Sequence, residues 1–202
     1  MTGTDYPNKP YIHTIGHSNH TLEHFAGLLQ SHSIQVLVDA RSQPYSRYSS
    51  HFDSTPLREH LARNNIAYVF LGRELGGRPA STQFYDSDGR VLYEQLAESS
   101  QFREGIAQLL EQMQEKRVAL LCSEENPANC HRRLLVGRVL AEQGVDVYHI
   151  RGDSRVQSED ELAAEEQADL GQGNLFEFRP IPEWKSIQSV SPKRQPPSSS
   201  ER

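Results

Sequence analysis

Ile34-Gln35-Val36-Leu37-Val38-Asp39 packs its aliphatic residues together without strict alternation of polar and apolar positions. A strand with one wet face would alternate. A strand covered on both faces reads as a near-continuous apolar run, the habit of parallel sheets. Similar short runs recur at Tyr11–Ile15, Ala67–Leu71, Val118–Cys122 and Val145–Ile150. Helical stretches fall between them. Thr21–Ser31 carries Leu22, Phe25, Leu28 and Leu29 at helical spacing, with Thr21 as N-cap. Thr55–Asn64 opens on Thr-Pro, and Arg90–Glu98 and Ser100–Lys116 follow. His131–Gln143 closes on Gly144, a natural residue after a helix end. Strands separated by helices imply βαβ units with right-handed crossovers. The expected fold class is α/β, a three-layer sandwich with a mainly parallel, Rossmann-like sheet.

The chain has 202 residues, a length suited to one domain with an appendage. Residues 1–10 read as an N-terminal extension and 11–152 as the α/β domain. An acidic segment and docking peptide (153–188) and a disordered tail (189–202) follow. Gln157–Glu177 holds seven acids and no base, and the tail is rich in Ser and Pro. Asn174–Trp184 is apolar enough to dock on the body. No window reaches the ~18 apolar residues of a membrane span, and the N-terminus lacks the pattern of a signal peptide. Two cysteines cannot form a disulfide framework, so a cytoplasmic setting is expected. A net charge of −6 argues against a basic coat for nucleic acid.

In parallel α/β sheets ligands sit beyond the carboxyl ends of the strands. The segments there are Gly16-His17-Ser18-Asn19, Asp39-Ala40-Arg41-Ser42-Gln43-Pro44, Gly72–Arg78 and Cys122–Arg133. Connecting loops are polar in any case. These four nevertheless hold both cysteines, two histidines and several arginines, and all converge on one edge.

Four motifs in these loops resemble the family called domain of unknown function 488. They are Thr14-Ile15-Gly16-His17-Ser18; Val38-Asp39-Ala40-Arg41 with Pro44 and Ser46; Leu75-Gly76-Gly77-Arg78; and Cys122-x-Glu124-x-x-Pro127-x-x-Cys130-His131-Arg132. The likeness covers about residues 11–152. Ala40 departs from the Asp-Val-Arg triplet expected there. The resemblance implies a compact α/β fold and names site residues, among them Ser18, Pro44 and Ser46, but implies no reaction.

The chemistry is therefore argued from side chains. Cys122 stands at a strand exit and Cys130 at a helix start, where unpaired N–H groups and the helix dipole lower a thiol pKa. Cys130 is the first candidate nucleophile, with Cys122 beside it and His131 or His17 as base. Asp39 and Glu124 are candidate acid–base or orienting groups. Arg41, Arg78 and Arg132 are candidate anion holders, since arginine suits bidentate phosphate or carboxylate. The plain alternative is that Cys122 is a small core residue and Cys130 merely begins a helix.

Several other chemistries fail on spacing. A Cys-x5-Arg anion loop is absent: Ala128 stands six after Cys122 and Val136 six after Cys130. Zinc held by Cys122, Cys130 and His131 would need a fourth ligand, and adjacent Cys-His pairs rarely share one ion. His20-Thr21-Leu22-Glu23-His24 fits the inverted zinc-peptidase template, but Thr21 as N-cap leaves His20 outside the helix. No metal and no cofactor are expected. Two functional readings result. One is an enzyme acting on a phosphorylated or nucleotide-like ligand through the Cys/His/Arg loop. The other is a non-catalytic module that binds a nucleotide or nucleic-acid end and whose cysteines are structural. An anionic small molecule, nucleotide or nucleic-acid end is the expected partner.

Overall fold

A computed structural model describes residues 9–45, 48–170 and 184–190. Six strands form one sheet: β1 (Tyr11–Gly16), β2 (Val36–Asp39), β3 (Ala67–Phe70), β4 (Val118–Cys122), β5 (Asp146–Ile150) and β6 (Val156–Ser158), in the order β3-β2-β4-β1-β5-β6. The first five run parallel, and β6 pairs antiparallel with β5. Compared with the 3-2-1-4-5-6 order of dinucleotide-binding sheets, β4 here lies between β1 and β2.

Helices cover both faces, which explains the apolar run in β2. Leu37, Ala119 and Leu121 pack with Phe25, Leu28 and Leu29 of α1 (Leu22–Ser31) and with Leu57 and Leu61 of α2 (Ser54–Arg63). Val36, Val38, Val118 and Leu120 pack on the other side. Their partners there are Leu96 of α3 (Tyr93–Glu98), Phe102, Ile106 and Leu109 of α4 (Ser100–Met113), and Leu140 of α5 (Arg138–Glu142). Neighbouring residues of a strand thus enter different cores, so both faces of the central strands carry apolar side chains. Phe25 and Phe102, one in each core, are fully buried, and truncating either to Ala costs about 3–5 kcal/mol. Thr21 caps α1 as its position suggests, its hydroxyl accepting from the His24 N–H at 3.2 Å.

The connections after β1 and β2 run toward one edge of the sheet over the α1–α2 face. Those after β3 and β4 return over the opposite face. β4 lies between two strands whose following helices occupy the other side, so a crevice opens at its carboxyl end. Glycine lets the loops close around it. Gly16 pairs in register with Cys122, and a Cβ there would stand 1.8 Å from the Glu124 carbonyl oxygen.

Two features depart from the simplest reading. The expected helix from His131 begins as a π-helical turn, Arg132–Gly137, before continuing as α5. The sheet also runs on past residue 152. β6 is followed by α6 (Glu159–Leu170), whose buried apolar anchor is Leu162 and whose acids bind inward: Glu159 and Glu166 pair with Arg133 at 2.6 and 2.9 Å. Of the expected docking peptide, Trp184 is described. Its Nε1 donates to the Leu134 carbonyl at 2.6 Å, and the Arg138 guanidinium lies 4.2 Å from its ring centroid. Residues 185–190 continue along Val91 and Leu92. Residues 174–183 and 191–202, with Ser46 and Arg47, lie outside the described residues. Among the described residues no helix is long and apolar enough to cross a membrane.

Candidate active site

The crevice at the end of β4 is a cleft of about 340 Å³. Cys122, Glu124, Cys130 and His131 line it, with Arg41, Arg78, Tyr45 and Tyr93 around them. Cys122 is placed by the end of the strand. Asn126 then accepts from the Ala128 N–H at 3.0 Å and opens a short 3₁₀ turn, Pro127–Asn129, which delivers Cys130. Cys130 is extended (φ −103°, ψ 139°), whereas His131 is helical (φ −59°, ψ −26°). That change of backbone turns two adjacent side chains toward the same point.

His131 Nε2 lies 3.0 Å from the Ala40 carbonyl oxygen. A carbonyl only accepts, so Nε2 carries the proton and Nδ1 faces the sulfurs, 3.4 Å from Cys122 Sγ and 3.9 Å from Cys130 Sγ. Gly77 permits this placement, because a Cβ there would come within 2.7 Å of the imidazole. One carboxylate oxygen of Glu124 lies 2.8 Å from Cys122 Sγ and 3.2 Å from Cys130 Sγ.

Both cysteines are almost wholly buried, at 3% and 1% exposure. Burial opposes ionisation of each, yet their environments separate them. The Cys130 thiol, His131 and Arg132 draw Cys122 well below the ordinary thiol range. Burial and the Cys122 charge push Cys130 well above it. Burial would lower His131, but the neighbouring sulfur charge raises it. Burial and the same charge also raise Glu124. A helix start alone favours Cys130 as the ionised thiol, whereas the surrounding charges and hydrogen bonds favour Cys122.

The arginines divide differently from the sequence reading. Arg132 is fully buried, donating to the Glu124 carbonyl, to the Glu125 carbonyl at 2.6 Å and to the Thr14 hydroxyl at 3.2 Å. It holds the loop from behind rather than facing the cleft. Thr14 in turn bonds His149 Nδ1 at 2.8 Å, and His149 Nε2 reaches Glu159 at 3.1 Å, so a buried polar chain ties the loop to α6. Arg41 lines the cleft with its guanidinium committed to Asp39 at 2.9 and 2.6 Å and to the Phe52 carbonyl at 2.9 Å. Arg78 is exposed at the rim and forms no ion pair among the described residues.

Other expected site residues sit behind the cleft. Asp39 is fully buried beneath Arg41 and accepts from Tyr68 at 2.7 Å. His17 stacks on Phe52 at 4.6 Å and bonds the Ser18 carbonyl at 2.9 Å. Burial and the Arg41 charge lower its pKa to about 4, so it is neutral at pH 7. Ser18 braces the β4 loop through its N–H, which donates to the Ser123 carbonyl at 2.9 Å. The Pro44 carbonyl accepts from the Ser54 N–H at 3.0 Å at the start of α2. The His20/His24 pair stands outside the cleft, with His24 Nε2 bonded to the Gly152 carbonyl at 3.0 Å. Ser186, Ile187, Gln188 and Val190 form a cleft wall that no motif announced; Trp184, as an apolar residue before a polar tail, was the available signal.

No curated protein matches the chain. The family model described as Domain of unknown function DUF488 matches residues 21–139, which include the arginine, glycine and cysteine loops of the cleft. The match spans more than half of the chain, which therefore belongs to the DUF488 family.

Proposed function

We propose that the protein is an enzyme acting on a phosphorylated or nucleotide-like substrate bound in the cleft at the end of β4. The observation that carries this reading is the convergence, in one crevice, of a cysteine, glutamate and histidine floor and a cation that forms no ion pair among the described residues. Cys122, Glu124, Cys130 and His131 form the floor, and Arg78 stands at the rim. A cleft of about 340 Å³ is at the small end of ligand pockets and suits one compact anionic molecule rather than a long polymer. Tyr45, 70% exposed, offers an aromatic face beside the anion site. Cys122, Glu124 and His131, each with a shifted pKa, stand together where substrate would meet them.

Burial of both sulfurs favours a second reading, a non-catalytic nucleotide-binding module with structural cysteines. Calorimetric titration with inorganic phosphate and nucleoside monophosphates, followed by product analysis, separates the two. Binding that weakens about tenfold in Arg78→Ala, with turnover lost in Glu124→Gln, supports the enzyme. Arg78-dependent binding without turnover supports the module. Absence of binding across these ligands contradicts both.

A further inference from the structure

The sulfurs of Cys122 and Cys130 and one ring nitrogen of His131 all lie within 4.8 Å of one another. Nδ1 is 3.4 Å from one sulfur and 3.9 Å from the other. In tetrahedral zinc sites, with Zn–S about 2.3 Å and Zn–N about 2.0–2.1 Å, neighbouring donor atoms stand about 3.5–3.8 Å apart. Two thiolates and an imidazole are soft donors that select zinc over magnesium or calcium. We propose that Cys122, Cys130 and His131 hold a zinc ion whose fourth position opens into the cleft.

Two objections from the sequence are answered by the backbone. Adjacent residues of a regular helix point away from each other and rarely share an ion. Here Cys130 is extended and His131 helical, so both reach one point. The missing fourth protein ligand is the mark of a catalytic centre, which keeps a position for water or substrate. The outer shell is also in place. His131 donates its other ring N–H to the Ala40 carbonyl, as metal-bound imidazoles do.

Glu124 completes the site without being a ligand. One oxygen of its carboxylate lies within hydrogen-bonding distance of both sulfurs, 2.8 Å from Cys122 and 3.2 Å from Cys130. When the thiols release their protons to solvent and the sulfurs bind the ion, Glu124 is left beside the open position. There it serves as the base that orients a zinc-bound water, whose pKa the metal brings near neutrality. This last role rests on the enzymatic reading above; the metal site itself rests on geometry alone.

Cobalt titration of the metal-free full chain tests the inference. The expected result is a thiolate-to-cobalt charge-transfer band in the near ultraviolet and intense visible bands of a tetrahedral ion, saturating at stoichiometric cobalt and bleached by zinc. Cys122→Ser and Cys130→Ser each remove roughly half of the charge-transfer intensity, and Glu124→Gln keeps all of it. If either serine variant fails to fold by circular dichroism, the wild-type titration still decides. Absence of the thiolate band at saturating cobalt overturns the proposal. Visible bands that shift on adding inorganic phosphate or a nucleoside monophosphate uphold the open position as well. Bands that neither ligand perturbs uphold the ion and count against the substrate reading.

Discussion

His131 donates through Nε2 to the Ala40 carbonyl oxygen at 3.0 Å, and that bond aims Nδ1 at the sulfur of Cys122. The loop after β2 therefore orients the reactive face of a residue that follows β4. Gly77, from a third loop, packs against the same ring. His131→Ala is expected to weaken zinc binding about 100-fold, and Gly77→Ala about 10-fold through displacement of the ring. Competition with a fluorescent chelator measures both. Equal affinity in wild type and Gly77→Ala would show that ring orientation does not matter.

Arg132, itself fully buried, satisfies two partly buried backbone carbonyls and a buried threonine hydroxyl. Arg132→Met leaves them without donors and is expected to cost about 3 kcal/mol or more. Arg132→Lys recovers little, because an ammonium lacks the planar fork that spans Glu124 and Glu125. Urea unfolding monitored by circular dichroism gives the loss. Full recovery by lysine would contradict the forked role.

Asp39 and Arg41 form a buried ion pair at 2.6 Å, with Tyr68 completing the carboxylate's partners. Asp39→Asn strands a buried guanidinium and is expected to cost about 3–5 kcal/mol. Tyr68→Phe removes one hydrogen bond to a charged group, for about 1.5–3 kcal/mol. A double-mutant cycle read by denaturant unfolding should show strong coupling, and additive losses would mean the two act independently.

His13 in β1 is fully buried, and burial, then the charges of His32 and Arg117, lower its pKa to about 3. Unfolded, it titrates near the ordinary value of 6.5. Between these values the unfolded chain binds a proton that the folded chain refuses. The stability linked to neutral His13 is thus complete above about pH 6.5 and lost progressively as pH falls toward 3. Its slope approaches about 1.4 kcal/mol per pH unit. Urea unfolding from pH 7.5 to 4.5 should be less steep in His13→Gln by about this amount. Identical slopes would remove His13 from the account.

The parts of the fold that were legible are those governed by apolar pattern and capping. β2 and β4 announce themselves through unbroken aliphatic runs, and α1 through Thr21. α6 did not. Among its described side chains the buried apolar residue is Leu162, and much of its attachment is ionic, so its acids read as a solvated segment. The cysteine loop was legible as a place but not as a mechanism. Sequence spacing places Arg132 beside Cys130 but cannot show that its guanidinium turns inward to carbonyls. Nor can it show the shift from extended to helical backbone between Cys130 and His131, on which the convergence of their side chains depends.

The most direct measurement is a crystal structure of the full chain grown with zinc, with anomalous scattering recorded on both sides of the zinc edge. The expected result is a peak about 2.3 Å from the sulfurs of Cys122 and Cys130 and about 2.0–2.1 Å from Nδ1 of His131. No peak at that point, with both thiols and the imidazole in place, would contradict it.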